Sequence, residues 1–306
     1  MNTTAASRVA VKRVRKRYDL REAFAGYACI SGFLLLYLVF IVYPLLDGFW
    51  ISFNRWDIIN PMEFVGLQNY INLINNPMFW TSLRNTTTFV LMSVPSILLA
   101  GFLFALLINS RYLKANSLFR VTFFAPNVLS VAIISYLWVR VLEPYTGLLS
   151  NALMAIGMQQ EIFWLRDRSL VWISLVFITL WWTVGYNMVL YLASMQDIPD
   201  SYYESADIDG ANGFQKTWYI TIPYLKRIHI LLFFLQTVAS FRIFGQVFLV
   251  TEGGPAGATR TYIQFIYETA FQRFFIGSGS AASIILFFII LIVSLLQLRI
   301  LKASPE

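Results

Sequence analysis

The chain has 306 residues, of which 58% are hydrophobic and only 13% are charged, and its net charge is +7. Soluble domains carry about 25% charged residues, so this composition excludes an ordinary soluble protein and indicates an integral membrane protein. The positive charge does not point to nucleic-acid binding, because the basic residues cluster at the edges of apolar stretches. The single cysteine, Cys29, lies inside an apolar run and excludes an internal disulfide.

Residues 1–24 form a basic tail in front of the first apolar stretch. Its basic residues are Arg8, Lys12, Arg13, Arg15, Lys16, Arg17 and Arg21. Such a cluster opposes translocation, so we expect the tail to stay in the cytoplasm. A cleaved signal peptide is the alternative, but the apolar run that follows has 22 residues. Signal peptides have apolar runs of about 7–15 residues, and no cleavage site of small residues follows this one.

Six apolar stretches predict six transmembrane helices within one membrane domain, residues 25–302, which is followed by a short tail at 303–306. A helix needs roughly 20 apolar residues to cross a hydrocarbon core of about 30 Å. Five stretches lack Asp, Glu, Lys and Arg, and the sixth carries His229 and Arg242. The six stretches are residues 25–46, 85–109, 121–139, 170–196, 228–250 and 276–298. Pro95 and Pro126 are expected to kink the second and third helices.

The distribution of basic residues predicts the orientation of the chain. Of the 23 Lys and Arg residues, 15 fall on the side of the N-terminal tail and 7 on the other side, and Arg242 lies within a span. Cytoplasmic loops carry the excess of basic residues, so both termini and the loop 197–226 are expected to face the cytoplasm.

Three loops are expected on the opposite side of the membrane. Loop 47–84 contains three tryptophans that we expect at the membrane interface: Trp50, Trp56 and Trp80. Loop 143–169 is long enough for a short helix lying on the surface. The phrase Gly253-Gly254-Pro255 in the third loop predicts a turn, because glycine permits a positive φ and proline cannot continue a helix.

The loop 197–226, here called the polar loop, is much longer than a simple connection between two helices requires. Asp200 and Ser201 are candidate N-caps of a first short helix, and Glu204 follows Ser201 by three residues, as in a capping box. Gly210 is expected to end this helix.

Gly213 is expected to contribute to the same break in the polar loop. A second short helix is predicted over residues 214–222, and we expect it to end at Pro223. The predicted structure is helix, turn, helix. A passive, solvated connector is the alternative interpretation of such a charged loop.

The polar loop resembles the EAA loop of the permease subunits of ABC importers. The matching residues are Glu204, Ser205, Ala206, Asp209, Gly210, Ala211, Ile220, Ile222 and Pro223. Ser205 stands where alanine is usual, and Ile222 stands where leucine is usual, but both replacements are similar in size. By this resemblance the loop is a coupling element that fits a cleft on an ATPase subunit, so that closure of the ATPase pair moves the permease helices.

Phrases outside the polar loop extend the resemblance to the maltose-type carbohydrate permeases over about residues 25–300. They begin at Tyr43, Asn54, Val65, Val250 and Ile266. The implied fold class is an all-α integral membrane protein with six transmembrane helices and the MetI/MalF-like permease fold. The resemblance is stronger to the MalF-like subunit of the heterodimer than to the MalG-like subunit.

The resemblance implies a permease subunit of an ATP-driven oligosaccharide importer in the inner membrane of a bacterium or archaeon. The implied partners are a second, MalG-like permease subunit, two ABC ATPase subunits, an extracellular solute-binding protein, a carbohydrate substrate and membrane lipid. The sequence contains no Gly-x-x-x-x-Gly-Lys-Ser/Thr segment, so ATP must be hydrolysed by another chain.

Candidate catalytic and metal-binding residues are lacking in the sequence. His229 is the sole histidine, so neither a Ser-His-Asp nor a Cys-His arrangement is expected. Glu204, Asp207 and Asp209 are better explained as loop carboxylates than as metal ligands. We therefore expect no catalytic residue, no metal and no cofactor, and we expect that the chain is not an enzyme.

Polar and aromatic residues inside the predicted spans are candidates for a substrate path, because a buried polar group without a partner is costly in hydrocarbon. The candidates are Trp181, Trp182, Tyr186, Asn187, Gln236 and Ser240. Sugar rings pack on aromatic faces, and sugar hydroxyls bind amides. Packing between helices is the alternative role for each residue. The resemblance favours Tyr186, Asn187, Gln236 and Ser240, since corresponding positions line the sugar site in the family.

Other classes of function remain open at this point. An importer of polyols or glycerol phosphate would favour cationic groups in the path. An ion-coupled secondary transporter should carry acidic residues within its spans, and the six stretches contain none. A receptor or scaffold is a third possibility. Arg242 is a functional candidate because of its depth, but it could also extend to the membrane surface or pair with Glu252.

Overall fold

The computed structural model of the protein describes residues 20–109, 116–158 and 161–302. The basic residues of the predicted tail up to Arg17, together with Arg111, Lys114 and the predicted tail 303–306, lie outside the described residues. The chain divides into two compact units, residues 1–50 and residues 51–306, and each is described by itself.

The first unit is a long apolar helix. It begins with α1 (Leu20–Tyr37), continues through a π-helical turn (Leu38–Val42) and ends with α2 (Tyr43–Ile51). The helix therefore starts inside the predicted tail and contains the whole of the predicted stretch 25–46. Residues 27–51 are long and apolar enough to cross a membrane. Cys29 is exposed on this helix.

The second unit begins with a small hairpin and continues as a bundle of helices. The hairpin pairs β1 (Asn54–Arg55) with β2 (Glu63–Phe64) in antiparallel register. The first helices after it are α3 (Gln68–Ile74), α4 (Pro77–Asn109), α5 (Asn116–Phe124), α6 (Val131–Val141), α7 (Leu148–Ala155) and α8 (Val171–Gln196). The polar loop and the remaining helices are α9 (Asp200–Ile208), α10 (Gly213–Lys216), α11 (Ile222–Tyr224), α12 (Lys226–Phe241), α13 (Gly245–Thr251), α14 (Tyr262–Tyr267) and α15 (Ile276–Lys302).

The long helices α4 and α8 form the centre of the bundle and pack against each other along their length. Glycine makes this possible at two places. A Cβ at Gly101 of α4 would lie 2.9 Å from the Cβ of Asn187. A Cβ at Gly185 of α8 would lie only 2.1 Å from the backbone oxygen of Phe123, which follows from the close approach of α5 to α8. Helix α12 packs on α4, and α14 and α15 pack on each other.

Within the described residues, four helices are long and apolar enough to span a membrane, and the number is six if each of two bent pairs counts as one span. The predicted stretches 85–109 and 276–298 lie inside α4 and α15, and 170–196 matches α8 except for its first residue, Leu170, which is the N-cap. Helix α4 runs without a break through Pro95. The short surface helix predicted in the loop 143–169 is confirmed as α7.

The prediction of one continuous helix over 121–139 is wrong. Helix α5 passes into a tight 3₁₀ turn (Ala125–Val128), and α6 leaves at an angle of 102° to it. Pro126 lies in this turn, where its missing N–H is tolerated. Ser130 then starts a new helix, because its hydroxyl accepts a hydrogen bond from the N–H of Ile133 at 3.4 Å. Pro126 therefore marks a sharp turn of the chain and not a mild kink.

The prediction of one helix over 228–250 is also wrong. Helix α12 ends at Phe241, and after a break of three residues α13 begins at Gly245 and packs on α6. The carboxamide of Gln246 in α13 donates to the carbonyl of Leu175 at 3.2 Å and accepts from the hydroxyl of Thr179 at 3.0 Å. These bonds fix the start of α13 to α8.

Candidate functional site

The first helix of the polar loop, α9, begins after Pro199, which occupies the N-cap position. Asp200 is therefore the first helical residue, and no side chain caps this helix. The predicted N-cap at Asp200 or Ser201 and the capping box with Glu204 are wrong, because proline already fixes the backbone where the chain enters the helix. The Glu204 side chain is exposed and has no hydrogen-bond partner among the residues that the structure describes.

The turn after α9 depends on Gly210, which has φ +73° as the sequence predicts. The N–H of Gly210 donates to the carbonyl of Asp207 at 3.1 Å, and the N–H of Ala211 donates to the carbonyl of Ala206 at 2.9 Å. This pair of bonds is a Schellman motif, which satisfies the last carbonyls of a helix and favours glycine at the left-handed position. Four residues of the EAA-like motif, Ala206, Asp209, Gly210 and Ala211, thus form one C-terminal cap.

The second helix of the polar loop is held by a capping box at Asn212. The side chain of Asn212 accepts from the N–H of Gln215 at 2.9 Å, and the side chain of Gln215 accepts from the N–H of Asn212 at 2.8 Å. The helix runs through α10, a π-helical turn (Thr217–Thr221) and α11. It continues one residue beyond the predicted end at Pro223 and meets α12 at a bend of 66°.

Side chains join the two helices of the polar loop into one element. The Lys216 ammonium forms an ion pair with the Asp207 carboxylate. The hydroxyl groups of Tyr203 and Thr221 lie 3.0 Å apart. The Tyr224 hydroxyl donates to the carbonyl of Asp197 at 3.0 Å and so fixes the end of the loop to the end of α8.

The polar loop also presents large apolar side chains to the solvent, which the sequence analysis missed. Ile208 is 88% exposed and Phe214 is 74% exposed, and Trp218 and Tyr219 are exposed as well. The rings of Phe214 and Trp218 are stacked with their centroids 6.1 Å apart. The four-residue spacing of these two aromatics on a predicted helix is the signal that could have revealed them. Exposed apolar side chains of this size on a loop indicate a surface for another protein.

A cavity of about 240 Å³ lies between the helices of the bundle, and polar side chains contribute to a mainly apolar lining. It is lined by Trp182, Gln236 and Ser240 from the predicted substrate path, together with Phe89, Val131, Thr179, Thr183, Ala239, Ile243, Gly245 and Gln246. We call it the central cavity. The Ser240 hydroxyl lies 3.1 Å from the Ser93 hydroxyl of α4. The indole nitrogen of Trp182 is buried and has no partner in the part of the chain that the structure describes.

Thr179 and Thr183 are cavity residues that the sequence analysis did not single out. They are four residues apart and so share a face of α8, and together with Trp182 they line the cavity. The spacing of polar residues around a candidate tryptophan is the signal that could have found them. The polar groups around the cavity are hydroxyls, amides and an indole, and none of its lining residues is charged.

The other three predicted path residues do not line the central cavity. Trp181 packs edge to face on Trp138, with ring centroids 5.5 Å apart. Asn187 is only 1% exposed and donates to the carbonyl of Thr183 at 3.1 Å, which fits the alternative role of helix packing. Tyr186 is 43% exposed on the surface of α8.

The turn predicted at Gly253-Gly254-Pro255 is confirmed. Gly253 has φ +82°, and the Thr259 hydroxyl donates to the carbonyl of Gly254 at 2.6 Å. The side-chain amide of Asn85 at the start of α4 donates to the carbonyls of Gly257 and Arg260, each at 3.1 Å. The loop is therefore fixed to the end of the bundle that lies away from the polar loop.

The hairpin of β1 and β2 lies at the same end of the bundle. The side-chain amide of Asn69 donates to the carbonyls of Ser52 and Asn54, each at 2.9 Å, and accepts from the Ser278 hydroxyl at 3.1 Å. A Cβ at Gly277 would lie 2.0 Å from the Asn54 oxygen, so glycine allows the hairpin to reach α15. Trp80 is exposed and donates its indole N–H to the carbonyl of Ile74 at 2.7 Å.

Comparison with known proteins identifies the class of the molecule. The family described as "Binding-protein-dependent transport system inner membrane component" matches residues 78–303. The arabinooligosaccharides transport system permease protein AraP of Halalkalibacterium halodurans is 34% identical over 92% of this chain and 88% of that protein. The trehalose/maltose transport system permease protein MalF of Thermococcus litoralis is also 34% identical, over 92% of this chain and 94% of that protein.

A solved structure shows the same fold. It is a bacterial ABC transporter involved in the import of the acidic polysaccharide alginate, and it matches with a TM-score of 0.85 over 94% of this chain and 98% of that chain at 22% identity. The molecule is therefore a multi-pass membrane permease component of all-α architecture and not an enzyme. The chain belongs to the family of inner membrane components of binding-protein-dependent transport systems.

Proposed function

We propose that the protein is one permease subunit of an ATP-driven oligosaccharide importer and that the polar loop couples it to the ATPase. The full importer would contain a second, MalG-like permease subunit, two ABC ATPase subunits and an extracellular solute-binding protein. The family description names a binding protein as part of such systems, which supports the last of these partners. Both termini and the polar loop would face the cytoplasm, as the distribution of basic residues predicts.

The polar loop is the observation that carries the coupling proposal. Its two helices are braced by the Lys216–Asp207 ion pair and the Tyr203–Thr221 contact, so the loop can move as one piece. Its exposed side chains, above all Phe214, would fill a cleft on the ATPase. The second helix of the polar loop meets α12 at Leu225. A displacement of the loop would therefore also move α12, which contributes residues to the lining of the central cavity.

The central cavity supports a neutral sugar as the substrate. A tryptophan face can pack on a sugar ring, while the Gln236 amide and the Ser240 hydroxyl can exchange hydrogen bonds with sugar hydroxyls. The relatives named for arabinooligosaccharides and for trehalose and maltose agree with this substrate class. Glycerol phosphate would require a cationic group, and the lining residues of this cavity include none. Uptake of maltose, trehalose and arabinooligosaccharides, each compared with glycerol phosphate, tests the substrate class.

Single cysteines test both the coupling and the orientation. In a Cys29→Ser background, Phe214→Cys should cross-link to the ATPase subunit in the assembled transporter, whereas Asn75→Cys at the other end of the bundle should not. A membrane-impermeant thiol reagent applied to intact cells should label Asn75→Cys and leave Phe214→Cys unlabelled. The proposal would be overturned if Phe214→Cys were labelled from outside the cell. It would also be overturned if neither cysteine variant cross-linked to the ATPase.

A further inference from the structure

A groove lies between α12, α14 and α15, on the side of α12 that faces away from the central cavity. Its volume is about 440 Å³. Its walls are mostly branched and aromatic side chains: Ile263, Ile266, Leu286, Phe287 and Ile290. Val238 and Arg242 of α12 border it as well, and we call it the Arg242 groove.

Arg242 brings a positive charge to this apolar surface. Its backbone N–H closes α12 by donating to the carbonyl of Ala239 at 3.1 Å, while its side chain is exposed. The expected pairing with Glu252 is not formed, and no described residue makes an ion pair or hydrogen bond with the guanidinium. Arg260, at the same end of the bundle, does have a carboxylate partner in Glu268, at 3.0 Å.

The position of the groove relative to the membrane surface can be inferred from the length of α15. This helix has 27 residues and is therefore about 40 Å long, roughly 10 Å more than a hydrocarbon core. Ser283 borders the groove and lies about 10 Å from the start of α15 at Ile276. If the excess length of α15 is divided equally between its two ends, Ser283 and the neighbouring Arg242 lie about 5 Å inside the hydrocarbon on the side remote from the polar loop. An arginine side chain can span that distance to reach the headgroup region.

We propose that the Arg242 groove is a phospholipid-binding site in the leaflet remote from the polar loop. The guanidinium holds the lipid phosphate, because its planar set of donors matches phosphate geometry. An acyl chain lies along Leu286, Phe287 and Ile290. The transported substrate is a poorer occupant, because the groove and the central cavity lie on opposite faces of α12. Gln236 and Ser240 line the cavity, whereas Val238 and Arg242 border the groove. An acidic side chain of another membrane subunit is the remaining occupant, and the experiment distinguishes it.

The test uses the full-length chain, in membranes that also contain its transporter partners, and a phosphatidylglycerol with a photoactivatable group in its acyl chain. After irradiation, mass spectrometry should find the label concentrated on peptides from α14 and α15 that form the groove, relative to the exposed helix α1. Arg242→Gln should lower labelling of these peptides about tenfold, the loss expected for one charge-assisted hydrogen-bonded contact. Arg242→Lys should lower it less, because a charge remains.

Two controls make the test specific. Arg273→Gln removes an exposed arginine at the same end of the bundle but outside the groove, and it should leave labelling unchanged. Unlabelled phosphatidylglycerol should displace the probe, whereas diacylglycerol with the same chains but no phosphate should not. Equal labelling in the wild-type chain and the Arg242→Gln variant would overturn the proposal. So would exclusion of the probe by a second polypeptide that cross-links at the groove. Neither result depends on which solute the transporter carries.

Discussion

The polar loop and the central cavity are the two regions on which the proposed function rests, and they are built in different ways. The loop is stabilised mainly by bonds between near neighbours, such as the bond from the Ala211 N–H to the Ala206 carbonyl. The cavity is assembled from α4, α6, α8, α12 and α13, so that Ser93 and Ser240, 147 positions apart, come within 3.1 Å.

The difference has a mechanical consequence. An element with its own local bonds keeps its shape when it is displaced. A cavity between separate helices changes its shape whenever one of those helices moves against the others. A change in the loop should therefore affect transport without affecting the stability of the bundle, whereas a change at the helix contacts should lower the stability of the bundle itself.

The largest effect is expected where α8 meets α5. Gly185→Val places side-chain atoms against the backbone of Phe123, where even a Cβ would lie 2.1 Å from the carbonyl oxygen. We expect the free energy of unfolding to fall by about 3 kcal/mol or more, because overpacking against backbone cannot relax. Thermal unfolding of the purified protein, followed by tryptophan fluorescence, measures this loss.

Gly245→Ala is the matched control for the helix contact. A Cβ at Gly245 would lie 3.6 Å from the methyl groups of Val131, which is ordinary van der Waals contact. The control should therefore unfold within a few degrees of the wild type. Equal destabilisation by the two variants would contradict the close approach at Gly185.

The next effect is expected at the turn of the polar loop. Gly210→Val forces a β-branched residue into φ +73°, at a cost of about 1–2 kcal/mol, and the Schellman motif should be lost. Uptake of the oligosaccharide that the wild type transports should fall at least about tenfold, the factor that corresponds to about 1.4 kcal/mol. The thermal stability of the bundle should stay near that of the wild type, which separates this variant from Gly185→Val.

Gly213→Ala is the control within the same loop. Gly213 is the first residue of α10 and has open space around a Cβ. Its replacement by alanine should leave uptake of the transported oligosaccharide unchanged. Normal uptake by Gly210→Val would show that the turn is not required for coupling.

A smaller effect is expected in the central cavity. Gln236→Leu keeps the approximate size of the side chain but removes one amide that could bind sugar hydroxyls. Uptake should fall about fivefold to tenfold, as expected for one lost hydrogen bond of about 1–1.5 kcal/mol. Cross-linking of Phe214→Cys to the ATPase should be retained in this background. Gln272→Leu, an exposed glutamine away from the cavity, should transport normally.

The smallest effect is expected at the capping box of the polar loop. Asn212→Ala removes the acceptor for the Gln215 N–H and should destabilise the start of α10 by about 1 kcal/mol. Hydrogen exchange of the amides in residues 213–217 should become about fivefold faster. Ser201→Ala should leave exchange in α9 nearly unchanged, because the Ser201 side chain caps no helix. A larger effect of Ser201→Ala on exchange in α9 than of Asn212→Ala on exchange in α10 would contradict this expectation and support the N-cap that the sequence predicted at Ser201.

The local features of the polar loop could be predicted from its sequence with good accuracy. The positive φ of Gly210 and the presence of two helices follow from residues within a few positions of each other. The error at Ser201 has a local cause as well, since Pro199 already occupies the N-cap position. The functional role of the loop remains a proposal that the cysteine experiment tests.

The membrane-spanning part was less predictable. An apolar composition indicates that a segment lies in lipid, but it does not indicate where a helix ends or changes direction. The stretches 85–109 and 170–196 were found correctly, since long uncharged runs have few alternatives in a bilayer. The breaks after Phe124 and Phe241 were missed. The break after Phe241 is accompanied by contacts with distant residues, since Gln246 binds Leu175 and Thr179 of α8. The break after Phe124 coincides with Pro126, for which the sequence predicted only a kink.

The amino-acid sequence by itself determined that this protein is a helical membrane protein with a polar loop turning at Gly210, because apolar runs and backbone preferences act over short distances. Only the tertiary structure decided that Trp182, Gln236 and Ser240 share a cavity while Trp181 and Asn187 do not. It also decided that Arg242 faces an apolar groove and not Glu252. The physical reason is that such neighbours are selected by helix packing and helix breaks, which depend on residues far apart in the chain.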